Sequence, residues 1–281
     1  MSKTILITGA SSGIGRDTAL ALAAAGHTVI GAARRLAALE ALPGITALQL
    51  DLDDAASIAA AAVAIDTLTA GRGLDALVNC AGYATAGALA ELSDRDLRAQ
   101  FETNVFGLMA LTRAVLPAML ERGSGRIVNV SSVSGRIPAP VLGAYHASKY
   151  ALEALSDALR MEVAAFGVQV VIVEPGTIRT EFAGRTLSEV ARTQPDASRY
   201  AAVYARASEL EARFDRMAGG TAPVVAAISR AVLARRPAAR YVAPRKFAAM
   251  IALVRILPTC WLDALMQRMF GLTRARLGPG G

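Results

Sequence analysis

Among 281 residues there are two cysteines, two histidines and one tryptophan, and aromatic side chains make up 5% of the chain. Cys80 and Cys260 cannot build a framework of bridges, so a reducing, cytoplasmic setting is the expectation. His27 and His146 are far apart and form no cluster at metal-ligand spacing, which excludes the common structural metal sites. No uninterrupted apolar stretch approaches the ~20 residues that a bilayer span needs. A strand-like run starts at Lys3, which leaves no room for a signal peptide. Repeats are absent, and low complexity is confined to an alanine bias and terminal glycines. No basic platform interleaved with aromatics points to nucleic acid.

What is present is an apolar, alternating chain. Hydrophobic residues make up 54% of it, enough for one substantial core. Short β-branched runs at 3–8, 27–33, 45–50, 74–79, 125–131 and 168–174 alternate with alanine-rich helical segments. That alternation predicts an α/β fold, a Rossmann-type doubly wound parallel sheet with helices on both faces. Sites in such sheets lie outside the carboxyl ends of the strands.

The first strand runs into Gly9-Ala10-Ser11-Ser12-Gly13-Ile14-Gly15, and a helix is predicted over 16–25. Glycines at a strand-to-helix turn let backbone amides approach a pyrophosphate, which the helix N-terminus favours. The spacing is G-x-x-x-G-x-G rather than the common dinucleotide G-x-G-x-x-G. The second strand ends at Arg34-Arg35, with no carboxylate from 32 to 38. An acid there would hold the 2′-hydroxyl of NAD, whereas arginine suits the 2′-phosphate of NADP. The charge logic points to NADP, with NAD as the alternative.

Tyr145 and Lys149 are four residues apart, and Ser132 lies thirteen before the tyrosine. Residues at i and i+4 share one helix face about 5–6 Å apart. A fixed ammonium beside a phenol lowers the tyrosine pKa, and a tyrosine so tuned exchanges protons with a carbonyl or alcohol oxygen. His146, one helical step from Tyr145, faces elsewhere.

With these motifs in order, the chain resembles a short-chain dehydrogenase/reductase over roughly 3–245, most loosely the hydroxysteroid and retinol dehydrogenase-like branch. The likeness rests on the 8–15 loop, Asp51-Leu52, Asn79-Cys80-Ala81-Gly82, Asn104, Ser132, Tyr145, Lys149 and the 175–180 segment. Cys80 stands where the family often has asparagine, and Glu174 precedes the proline. The resemblance implies an NADP(H)-dependent oxidoreductase of a single α/β domain. Asp51 would bond the adenine, Leu52 would flank it, and Asn79, Ala81 and Gly82 would line the ribose side. Asn104 would hold a helix kink and a proton path. Ser132 would polarise the substrate oxygen, Tyr145 would be the acid or base, and Lys149 would also bond the nicotinamide ribose. Pro175, Gly176, Ile178 and Thr180 would cradle the nicotinamide. The family also implies a homodimer or homotetramer.

Substrate contacts are expected from Ser132, Tyr145, Val141, Leu142 and Phe182. One wall would be the 137–142 segment, the other a helical insert at 182–221 bearing Phe182, Leu187, Tyr200, Tyr204, Leu210 and Phe214. Both are apolar, so the predicted substrate is a lipophilic ketone, aldehyde or alcohol of steroid or retinoid type. The alternatives are a 3-oxoacyl-[acyl-carrier-protein] reductase and a non-catalytic NADP-binding module at a membrane surface.

The positive charge is concentrated at one end. Residues 230–281 carry ten basic residues against one acid, Asp263, while the other 229 carry 20 bases and 22 acids. A basic, apolar extension is therefore assigned to 246–281. It reads as a helical flap over the cleft or a partner subunit, as a helix lying in a membrane interface, or as a solvated tail.

Overall fold

The computed structural model describes residues 2–195, 197–273 and 277. Short apolar runs form seven strands: β1 (Thr4–Thr8), β2 (Thr28–Ala33), β3 (Ile45–Gln49), β4 (Ala76–Asn79), β5 (Gly125–Val130), β6 (Val168–Pro175) and β7 (Arg240–Ala243). All pair in parallel in the order β3-β2-β1-β4-β5-β6-β7. The predicted Rossmann-type sheet is the one observed. The seventh strand, which closes the far edge, was not among the six predicted.

Strands buried on both faces read as continuous apolar runs, and the side-chain alternation shows why. In β1, Leu6 joins a core cluster on one side with Leu77, Ile127 and Val170, while Ile5 and Ile7 join the other with Val29, Val128 and Val171. The first side is covered by α3 (Ala55–Leu68), α5 (Leu108–Arg122) and α6 (Gly143–Val163), through Ile58, Leu111, Met119 and Leu159. The second is covered by α1 (Gly13–Ala24) and α10 (Ala222–Leu233), through Leu22, Val224 and Ile228. Between them in sequence lie the short α2 (Ala37–Glu40) and α4 (Asp94–Phe101).

A π-helical stretch, Glu102–Gly107, joins α4 to α5 and carries Asn104. The crowding is visible at Gly107, where a Cβ would lie 2.0 Å from the Leu52 carbonyl oxygen. The 182–221 insert folds as α7 (Glu181–Thr193), α8 (Ala201–Tyr204) and α9 (Ala207–Met217). The C-terminal extension forms α11 (Lys246–Ile256) and α12 (Thr259–Phe270). The side chains of Leu187, Leu210 and Phe214, and residues Arg274 and Arg276, lie outside what is described.

One correction concerns charge. Arg240, counted in the basic excess of 230–281, is bound inside the fold: it pairs with Glu153 at 3.1 Å, with Glu174 at 3.4 Å, and with Asp157. Glu174, which departs from the family pattern before the proline, is buried and also holds Arg136 at 2.9 Å.

Candidate active site

Strand order reverses beside β1, whose two neighbours are β2 and β4. The cleft opens there, at the carboxyl ends of the strands. β5 ends at Val130, and Ser132 follows in extended conformation. Its hydroxyl accepts from the Ser134 amide at 3.1 Å and donates to the Pro175 carbonyl at 3.4 Å. α6 presents Tyr145 and Lys149 on its inward face, one turn apart. The Ser132 hydroxyl lies beside the Tyr145 phenol, and Lys149 Nζ is 5.9 Å from the centre of the tyrosine ring. Asn104 Nδ2 donates to the Tyr83 carbonyl at 3.0 Å and to Ser148 Oγ at 3.1 Å, while its Oδ1 accepts from the Tyr83 amide. Four residues from three separate regions of the sequence thus meet in one buried spot.

The electrostatics differ from the simple expectation. Burial pushes the Tyr145 phenol up to about 12, against the opposing pull of the nearby Ser132 hydroxyl. Burial also lowers Lys149 to about 8, with Cys80 and Glu153 opposing. The ammonium is directed at the Val130 carbonyl, 2.9 Å away, rather than at the phenol oxygen. Desolvating a phenolate therefore outweighs the neighbouring cation, and the expected lowering of the tyrosine is not found in the protein by itself. Tyr145 stands protonated at neutral pH. Cys80 behaves as a filler: burial holds its thiol up at about 12.

The cleft beside this spot fits a dinucleotide. Gly9 has φ +68°, and a Cβ there would lie 2.9 Å from Ala81 Cα, so the two loops touch across the strand ends. A Cβ on Gly15 would lie 2.3 Å from the Gly9 carbonyl oxygen. α1 begins at Gly13, so Ile14 and Gly15 belong to its first turn rather than to a preceding loop. Ser12 makes no side-chain cap, and no acid lies in that turn, which leaves its amides and dipole for an anion. Ser11 and Ser12 are half-buried beside it, and Thr180 packs against Gly13 from the opposite loop. Arg34 and Arg35 are exposed just past β2. Asp51 is half-buried and accepts from the Asp53 amide.

Two side chains expected along the cleft point into the protein. Leu52 packs in the core with Leu50 and Ile58. Asn79 donates to Thr112 and Asn129, tying β4 to α5 and β5. Gly82 is exposed, close to Asn104 Oδ1. Ile178 forms a bridge to Gly219, and Gly176 lies under the Phe247 ring.

A model of the short chain dehydrogenase family matches residues 3–191. The chain belongs to the short-chain dehydrogenase family. It is 39% identical over 269 residues to YbbO, an uncharacterized oxidoreductase of Escherichia coli, covering 95% of each chain. It is 33% identical to a 3-ketodihydrosphingosine reductase of Bacteroides thetaiotaomicron, covering 94% of each. An NADPH-dependent 3-dehydrocapnine reductase of Ornithobacterium rhinotracheale is 31% identical, over 94% of this chain and 95% of its own. A short-chain dehydrogenase of Streptomyces avermitilis superposes with a TM-score of 0.78, 34% identity and 98% of both chains covered. Another from Sphingobium yanoikuyae, solved with NADPH, gives 0.71 at 28% identity, covering 90% of this chain and 92% of its own. The protein is an oxidoreductase of this family acting on CH–OH groups.

In this short-chain dehydrogenase the surroundings of Tyr145 toward the 182–221 insert are apolar. The Phe182 ring lies 5.6 Å from that of Tyr145. Val141 and Leu142 pack with Ala86, Ala88, Val190 and Tyr204, which fastens the insert to the 137–142 wall. Val141 holds φ +68°, a strained setting for a β-branched residue, and its carbonyl accepts from the Gly87 amide at 2.7 Å.

Supporting residues escaped the sequence reading. His146, set aside as a bystander, donates from Nδ1 to the Ile137 carbonyl at 2.7 Å and so pins the wall beside Tyr145. Gln100 lies one turn before Asn104, is buried, and holds Thr85 and the Tyr83 carbonyl. The i, i+4 spacing of Gln100 and Asn104 on a helix was the available signal.

Proposed function

We propose that this enzyme is an NADPH-dependent reductase of long-chain lipophilic ketones. The observation that carries the reading is the buried, protonated Tyr145 set between Ser132 and an apolar wall. A bound nicotinamide would supply the hydride to the carbonyl carbon. Ser132 then holds the carbonyl oxygen, and Tyr145 donates the proton that oxygen needs, which its raised pKa suits better than proton removal. Lys149 carries the nearby positive charge, and Asn104 fixes α6 against the 83–85 loop. Exposed Arg34 and Arg35 favour the 2′-phosphate of NADP. Apolar walls, and two relatives named for reduction at position 3 of their substrates, favour a long chain over a compact steroid or retinoid. The helices carrying Asn104 and Tyr145 expose Phe106, Tyr150, Leu155 and Met161, which supports pairing of two copies through these faces.

Turnover of NADPH with a panel of ketones tests the reading, the panel holding a long-chain 3-keto lipid, a steroid ketone and a 3-oxoacyl carrier-protein thioester. The long-chain ketone should give the highest kcat/KM, and preference for the thioester would favour the acyl-carrier alternative. Tyr145→Phe should lower kcat by about 10²–10⁴-fold, the range for loss of a general acid, with NADPH affinity kept. Equal rates would remove the catalytic role.

A further inference from the structure

α11 and α12 expose apolar side chains on the side away from the core. α11 turns Phe247 and Ile251 inward, yet Met250, Leu253 and Ile256 on its outer side are exposed, Ile256 by 78%. On α12, Trp261 is 65% exposed and Leu265 lies one turn further along. Around these five stand Arg245, Lys246, Arg255 and Arg268, all exposed, and Asp263 is the one acid from 245 to 270. A monomer in water does not gain from displaying such a face.

The same helices border the substrate cleft. The Phe247 ring rests on Gly176, and Lys246 Nζ donates to the Met217 carbonyl at the end of α9 at 3.1 Å. A cavity of ≈ 300 Å³ lies between Leu262 and Met266 of α12 and the Pro138–Pro140 wall. That wall leads to Tyr145.

We propose that the outer face of α11 and α12 lies in the interface of an anionic lipid bilayer, with the mouth of the cleft beside it. Helices of 11 and 12 residues are too short to cross ~30 Å of hydrocarbon, so they lie along the surface. The apolar side chains enter the headgroup boundary, Trp261 sits at headgroup level, and the basic residues meet anionic lipid. The long apolar helix over 94–122 has its inner side in the core and is not the contact. A second copy of the chain fits this face less well, because a two-fold contact would set both basic rims against each other. Delivery of a lipophilic substrate from the bilayer to Tyr145 rests on the proposed function; docking does not.

Flotation of the full chain with phosphatidylglycerol/phosphatidylcholine vesicles, and with phosphatidylcholine alone, tests this at low and high salt. Binding to the anionic vesicles at low salt is expected, weakened by high salt. Arg255→Gln with Arg268→Gln should lower partitioning on the order of tenfold, from loss of two charges near an anionic surface. Ile256→Asn with Trp261→Asn should abolish it. Both double variants change exposed residues, so turnover of a short, water-soluble ketone should stay at the parent rate and show that they are folded. No binding at low salt, or binding untouched by the apolar substitutions, overturns the proposal. A drop in solution mass in Ile256→Asn/Trp261→Asn, without loss of flotation, assigns the face to a second copy and overturns it too. Failure of every ketone with flotation intact would instead remove the proposed function and leave docking standing.

Discussion

Lys149 keeps its ammonium against the Val130 carbonyl in a site nearly closed to water. Burial lowers its pKa to about 8 in the folded protein against an ordinary value of 10.5. Between those values the unfolded chain binds a proton that the folded chain does not, so this group's contribution to stability rises with pH across the window. Below about pH 8 the cost is complete, up to about 3 kcal/mol from the size of the shift. Lys149→Met should therefore raise the stability of the cofactor-free enzyme at pH 7, with a gain that shrinks toward pH 10, while turnover is lost. Denaturant unfolding at both pH values checks it, and a less stable variant would show that the bond to Val130 matters more. Under the proposed function, Arg34 carries the cofactor preference. Arg34→Asp should weaken NADPH binding roughly 10–100-fold, the worth of a hydrogen bond to a charged group, with little effect on NADH. Titration by fluorescence decides, and an unchanged preference would move phosphate recognition elsewhere. At this scale the sequence was informative about identity and silent about environment. Tyr145, Lys149, Ser132 and Asn104 were legible because their spacings are peculiar. That Tyr145 is raised rather than lowered was not, since desolvation depends on every neighbour.

Elements were legible where hydrophobic period and glycine placement agree. β1 to β6 came out within two residues of their observed ends, because β-branched runs bounded by turns leave little else for the chain to do. β7 was missed. Its four residues, Arg240–Ala243, follow a basic, proline-containing stretch and carry no alternation long enough to read. What holds it is distant in sequence: Arg240 reaches Glu153 and Asp157 on α6, and Glu174 on β6. Burial raises the Glu153 pKa, with Arg240 opposing. Arg240→Met would leave carboxylates facing one another and should cost roughly 3 kcal/mol, in the range for removing one partner of a largely buried pair. Adding Glu153→Gln should restore part of that loss. Urea unfolding of the single and double variants measures both, and additive losses would mean that the two side chains do not interact.

For the whole molecule, the outer faces of α6 and of the π-helical stretch remain apolar at Phe106, Leu155 and Met161. A dimer in solution is expected, and Phe106→Lys with Met161→Lys should shift it toward monomer without unfolding it. Light scattering reads this directly, and an unchanged mass would place any contact elsewhere. By itself the sequence determined the parallel sheet and singled out the glycine loop and the side chains proposed to react, because period, glycine position and helical spacing are local properties of a chain. Only the tertiary structure decided which polar groups lose their water, which arginines of the basic end stay free, and how α11 and α12 come to border the cleft. Those outcomes depend on contacts between segments up to a hundred residues or more apart, and no local pattern encodes them.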